Sequence, residues 1–128
     1  MEETWNNLVL ALGWAITHSY FHFTFLVKEG NQITTNWFLL ELVIAILASS
    51  QLPKIEKALK FWIISIALSI IITMGLMVSP TLTGAMDPRF TSLIITGAVQ
   101  PLTTVLLLST PLHLLGCFIG QVVRNRLT

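Results

Sequence analysis

Long apolar segments between short charged clusters are the feature that most constrains the fold of this 128-residue chain. The apolar gaps are about 20 residues long, which is the length of a helix that crosses the hydrocarbon core of a bilayer. Only 10% of the residues are charged and 54% are hydrophobic, whereas a soluble domain carries about 25% charged residues. The sequence therefore predicts an all-α integral membrane protein that has the lipid bilayer as its main environment.

The apolar segments predict a single polytopic membrane domain with four transmembrane helices, at about residues 4–27, 35–52, 57–78 and 102–123. The last apolar region, residues 90–123, exceeds one span by about a dozen residues. Pro101 divides it, and proline suits the first turn of a helix. We therefore expect a short interfacial or re-entrant helix over residues 90–100, before the fourth span. The alternative is one long tilted helix from Phe90 onward.

The positions of lysine and arginine predict the orientation of the chain. Five of them lie in the second connection and the C-terminal tail, at Lys54, Lys57, Lys60, Arg124 and Arg126, against Lys28 and Arg89 on the opposite side. This asymmetry favours cytoplasmic termini, and we expect a multi-pass protein of the cell (plasma) membrane. The net charge of +1 gives no basic patch for binding a nucleic acid.

Small and polar residues recur at helical spacing and indicate which helix faces pack together. Ser65, Ser69 and Thr73 form such a stripe in the third segment, and Gly116 and Gly120 form a GxxxG pair in the fourth. Small residues let helix backbones approach closely in lipid. We expect these five residues to pack helices together, within the chain or against a second chain.

Four ionisable residues lie within the apolar segments: His18, His22, Glu41 and His113. Such groups are costly in a membrane, usually face the protein interior, and are candidates for function. Positions along the helices put His18 and Glu41 at one level, His113 near the middle of its span and His22 nearer the membrane edge. We therefore expect His18 and Glu41 to meet.

Several chemistries fit these residues. His18 and Glu41 can form a hydrogen bond that only stabilises the bundle, or can handle ions or protons, because histidine titrates near physiological pH. Glu41 can also stand alone and protonated, facing a cavity or a partner subunit. His18, His22 and Glu41 can bind a metal, since two imidazoles four residues apart share a helix face. His18 and His113 can be axial ligands of haem b, although we expect no cofactor.

The chain contains no phosphate-binding loop, nucleophile elbow, HExxH or CxxC motif, so we do not expect an enzyme. The first functional hypothesis is a non-catalytic accessory or structural subunit of a larger membrane complex, which binds other membrane subunits or itself. The second is a small oligomeric transporter or channel that uses Glu41 and His18. The third is an electron-transfer subunit that binds haem through two histidines.

Overall fold

The computed structural model of the chain describes residues 2–27 and 35–127, and within these ranges all regular secondary structure is helical. The helices are α1 (Glu2–Val27), α2 (Thr35–Ser50), α3 (Ile55–Leu82) and α4 (Thr91–Leu127), and a 3-10 turn at Pro88–Phe90 precedes α4. The connection between α1 and α2, with Lys28, lies outside the described residues. Pro53 follows the end of α2. Of the three lysines expected in the second connection, Lys54 precedes α3, whereas Lys57 and Lys60 lie in its first turns.

The helices pack as two parallel pairs that run in opposite directions. Ser65 of α3 contacts α1 at Ala11, and Thr73 contacts it at Ser19, with the same sequence separation of 54 residues in both cases. Constant separation means that α1 and α3 run parallel. Contacts of α2 with α4 have separations of 72 residues at both Glu41 and Ser49, so this pair is parallel too. Phe21 of α1 contacts Phe38 of α2, and His18 contacts Glu41, so these two helices are antiparallel and the bundle alternates in direction along the chain.

The serine and threonine stripe of α3 lies in the contact with α1. Ser65 donates a hydrogen bond to the Ala11 carbonyl, at 3.3 Å, and Thr73 donates to the Ser19 carbonyl, at 3.4 Å. Ser69, between them, lies 3.4 Å from Nδ1 of His22. All three side chains are fully buried. Ser65 and Ser69 also have a carbonyl of their own helix, of Phe61 and Ile66, at 2.8 Å. Each hydroxyl has one hydrogen, which it donates to one acceptor at a time.

The GxxxG pair of α4 packs against α2 in the same chain. A Cβ atom added at Gly116 would press on the Cβ of Ala45, and one added at Gly120 would overlap both the Ser49 hydroxyl and the Ile46 carbonyl. Ser49 in turn donates a hydrogen bond to the Gly116 carbonyl, at 3.3 Å. The close approach that glycine permits is therefore used inside the protomer.

The short separate helix expected over residues 90–100 is not found, and the alternative of one long helix describes the chain. α4 is continuous for 37 residues, with Pro101 and Pro111 inside it. Pro101 removes one backbone donor without ending the helix, because the apolar run continues on both sides of it. Thr103 and Thr104 follow it and donate side-chain hydrogen bonds to the carbonyls of Val99 and Gln100. The helix expected at 102–123 therefore begins eleven residues earlier.

Among the described residues, two helical segments are long and apolar enough to cross a membrane, Ile55–Leu82 and Pro88–Leu127. α2 is apolar but shorter. Length and composition alone are weak evidence for a membrane location, because the core helix of a soluble protein can have both.

Candidate functional site

Glu41 is the centre of a cluster of imidazole rings inside the bundle. Its atom Oε2 lies 2.6 Å from Nε2 of His113 and 2.7 Å from Nδ1 of His18. The three side chains come from α2, α4 and α1, and each is at most 2% exposed. A carboxylate buried this deeply is costly unless it is paired and hydrogen-bonded. Here three helices of one chain supply its surroundings.

The hydrogen bonds of His113 determine where its protons lie. Its Nδ1 is 2.7 Å from the Ser109 carbonyl oxygen, one turn earlier in α4. A carbonyl can only accept, so Nδ1 carries a hydrogen. The contact between Nε2 and Glu41 then requires one more proton, which lies on the ring beside an ionised carboxylate or on the carboxyl group beside a neutral ring. One shared proton therefore joins α2 to α4.

His18 approaches the same carboxylate oxygen in a different way. Its Nδ1 is 2.7 Å from Oε2, but this nitrogen makes no hydrogen bond of acceptable geometry among the described residues. The ring meets the edge of the His113 ring, with centroids 4.4 Å apart and a 73° angle between their planes. His18 is thus in contact with the cluster without satisfying its own nitrogens.

His22 extends the cluster along α1. Its ring is nearly parallel to that of His18, with centroids 6.1 Å apart, and its Nδ1 lies 3.4 Å from the Ser69 hydroxyl. The sequence places His22 near the membrane edge, but the residue is 1% exposed. Packing of α3 against this face of α1 covers it.

Several buried polar atoms around the cluster have no hydrogen-bond partner among the described residues. They are the Nε1 atoms of Trp14 and Trp62, both nitrogens of His18 and the Oε1 of Glu41. Trp14 packs near the ring of His18, and Trp62 stacks on that of His113. Buried polar atoms without partners are rare in proteins, and they often mark functional sites.

The structure brings together His18 and Glu41, which the sequence places at one level, and adds His113 to them. The sequence gives His113 no contact with Glu41, because it does not show that α2 and α4 are neighbours. A signal was nevertheless present. Glu41 and Ala45 lie about one helical turn apart on α2, and so do His113 and Gly116, which face them on α4.

The sequence also gives no indication that Gln121 contacts α2. Its side-chain amide donates to the carbonyls of Ser49, at 2.6 Å, and of Leu52, at 3.0 Å. Ser49 lies in the last turn of α2, whose carbonyls have no partner within the helix, and Leu52 follows the helix end. Gln121 therefore caps the end of α2 from α4, about 12 Å along the axis from the glutamate cluster at 1.5 Å per residue.

The spacing of the rings bears on the haem hypothesis. Two axial imidazoles each bind iron at about 2 Å, as in other metal–imidazole bonds, so their nitrogens lie about 4 Å apart on opposite faces of the porphyrin, with the ring centroids farther apart still. The centroids of His18 and His113 are only 4.4 Å apart, and Glu41 contacts both rings. A haem between these residues requires the helices to separate.

No protein-family model, curated protein or solved structure matches this chain. The geometry of its own residues therefore supports the functional proposal.

Proposed function

We propose that this chain is a small multi-pass membrane protein that moves protons across the bilayer through the cluster of Glu41, His18 and His113. The observation that carries the proposal is the 2.6 Å contact between Glu41 Oε2 and His113 Nε2, which is short enough for a carboxylate and an imidazole to share one proton. Ionisable residues in the interior of a membrane bundle commonly form proton relays.

Further polar groups along the interior support a path through the cluster. On one side, the His22 ring stacks on His18 and contacts Ser69. On the other, the buried pair of Ser49 and Gln121 lies toward the end of α2. Each imidazole has one nitrogen that can donate a hydrogen bond and one that can accept it, and hydroxyl and amide groups can order water beside them.

The outer surface of the bundle supports the membrane location. Large apolar side chains are exposed on every α-helix, with Ile16, Leu47, Ile71 and Leu107 each more than half exposed. The interior combines apolar side chains, such as Trp14, Phe21 and Leu52, with small residues, hydroxyls and histidines. Water would penalise such a surface, whereas lipid does not.

The proposal includes four crossings, with both termini in the cytoplasm of a cell whose plasma membrane holds the protein. The alternating helix directions and the lysine and arginine asymmetry support this orientation. The oligomeric form expected for so small a transporter belongs to the proposal as well. Because three helices of one chain supply the cluster, the proton path lies within a protomer.

The hypothesis of an accessory subunit depends in part on a carboxylate that needs a partner chain. In the structure, Glu41 has His18 and His113 of its own chain as neighbours. For this reason we place proton movement ahead of the accessory role, which stays a prediction.

Proton flux into vesicles tests the proposal. The full chain is reconstituted into liposomes that contain a pH-sensitive dye, and a potassium gradient with valinomycin drives protons inward. The Glu41→Gln variant keeps the size of the side chain and removes its charge. Glu56→Gln is the matched control, because it makes the same change at an exposed residue.

We expect wild-type vesicles to acidify faster than protein-free vesicles, Glu56→Gln to match wild type, and Glu41→Gln to fall to the protein-free rate. Wild-type flux equal to that of protein-free vesicles would overturn the proposal. Equal flux in wild type and Glu41→Gln would overturn it too.

A further inference from the structure

We propose that His18, Glu41 and His113 also form a binding site for a divalent transition-metal ion such as Zn²⁺, which takes the place of the shared proton. This inference uses the same three residues as the proposed function, but it does not require that the protein moves protons. It differs from the metal site that the sequence suggests, because His113, and not His22, completes the set of ligands.

The positions of the ligand atoms carry the inference. One nitrogen of each histidine and a carboxylate oxygen of Glu41 lie within 4.8 Å of one another. In a tetrahedral site, metal–ligand bonds of about 2.1 Å put the ligand atoms about 3.4 Å apart. The two nitrogen–oxygen contacts of 2.6 and 2.7 Å therefore need to open by less than about 1 Å for an ion to enter.

The ring of His113 is already held as a metal ligand. Ligating histidines usually donate their other N–H to a carbonyl or carboxylate, which fixes the tautomer and directs the free lone pair to the metal. His113 Nδ1 donates to the Ser109 carbonyl at 2.7 Å. Once the shared proton leaves, Nε2 presents its lone pair beside Glu41 Oε2.

The unpartnered atoms of the cluster point to a ligand as well. Nδ1 of His18 and Oε1 of Glu41 have no hydrogen-bond partner among the described residues, although both side chains are at least 98% buried. A metal ion satisfies the lone pair of His18 Nδ1, and it reaches Oε1 as well as Oε2 if the Glu41 carboxylate binds it through both oxygens. One ionised carboxylate with two neutral imidazoles gives the site a charge of −1, which favours a cation in a buried position.

The chemistry of the ligands selects the class of metal. Two imidazoles and one carboxylate suit zinc and the neighbouring first-row ions, whereas Mg²⁺ and Ca²⁺ prefer sites made of oxygen atoms. Three protein ligands also leave open positions, as in zinc sites with two histidines and a glutamate.

Cobalt titration of the full chain, purified in mild detergent and stripped of metal, tests the inference. Co²⁺ is the probe because its visible absorption reports coordination. The variants are Glu41→Gln, His113→Gln and, as the matched control, His22→Gln. Circular dichroism and size-exclusion chromatography show whether each variant keeps its helices and its size.

We expect one Co²⁺ per wild-type chain, displaced by Zn²⁺ and not by Mg²⁺. Glu41→Gln and His113→Gln should weaken binding by about 100-fold or more, and His22→Gln should bind as wild type does. Calorimetry of wild type with Zn²⁺ in two buffers of different ionisation enthalpy should detect release of a proton, since the metal replaces it.

Absence of Co²⁺ binding to wild type overturns the inference, as does equal binding by wild type, Glu41→Gln and His113→Gln. If the substituted proteins do not fold, the proton release of wild type decides, and Zn²⁺ binding without release counts against the site. Proton flux that needs Glu41 without metal binding overturns this inference alone. Metal binding without proton flux overturns the proposed function alone.

Discussion

At the scale of single residues, Glu41 depends on His113 more than on any other group. Glu41 Oε2 lies 2.6 Å from Nε2 of that ring, and the two groups share a hydrogen bond. His18 Nδ1 lies 2.7 Å from the same oxygen but has no hydrogen-bond partner among the described residues. When one partner of a buried hydrogen-bonded pair is removed, the other stays buried with no partner to offset the cost of its lost hydration. The two residues should therefore act on stability as a unit.

A double-mutant cycle measures this coupling. We expect Glu41→Gln and His113→Gln each to lower the free energy of unfolding, and the double variant to lose about 0.5–3 kcal/mol less than the sum of the two losses. Unfolding in mixed micelles by a denaturing detergent provides the values. A parallel cycle of Glu56→Gln with His113→Gln should be additive, because Glu56 is exposed at the start of α3. Additivity in both cycles would contradict the coupling.

The sequence was sufficient to predict part of this site. Position along the helices brought Glu41 and His18 to one level, because depth follows from the rise per residue. It did not reveal the role of His113, since the contact of α2 with α4 depends on how four helices arrange themselves around one another. No connection of the chain joins those two helices directly.

At the scale of helices, composition and apolar length predicted the elements well and their ends less well. α1, α2 and α3 lie where the apolar segments are, and Pro53 follows α2 as expected. The break at Pro101 was wrong, because a proline within a long apolar run removes one hydrogen bond and leaves the rest of the helix intact. The sequence indicates where helix formation is weakened, but not whether its neighbours compensate.

Substitution of Gly120 tests the packing of α2 on α4. A Cβ atom there would overlap the Ser49 hydroxyl and the Ile46 carbonyl, so Gly120→Ala must push the helices apart. We expect a loss of about 1–3 kcal/mol in the free energy of unfolding. Gly97→Ala is the control on the same helix, since a Cβ there meets nothing within 4 Å; it should gain up to about 1 kcal/mol from helix propensity. Equal effects at both positions would show that α4 does not pack on α2 through Gly120.

At the scale of the whole molecule, the bundle has an apolar exterior and an interior in which polar and apolar side chains are mixed, and this distribution suits lipid. The orientation can be tested with single cysteines at Lys54 and Met86, in a chain carrying Cys117→Ser. Both positions are exposed, one between α2 and α3 and the other between α3 and α4. In intact cells, an impermeant maleimide should label Met86→Cys, and should label Lys54→Cys only after the membrane is opened. Labelling of both in intact cells would contradict the orientation.

The central claim is that the buried cluster exchanges a proton with the surroundings. Infrared difference spectroscopy of the lipid-reconstituted protein tests this most directly, when the pH is stepped between about 5 and 8, on either side of the ordinary pKa of a free imidazole. We predict carboxyl or carboxylate bands that are present in wild type and in Glu56→Gln and absent in Glu41→Gln. Identical difference spectra for wild type and Glu41→Gln would show that Glu41 senses no proton in this range, and would contradict the claim.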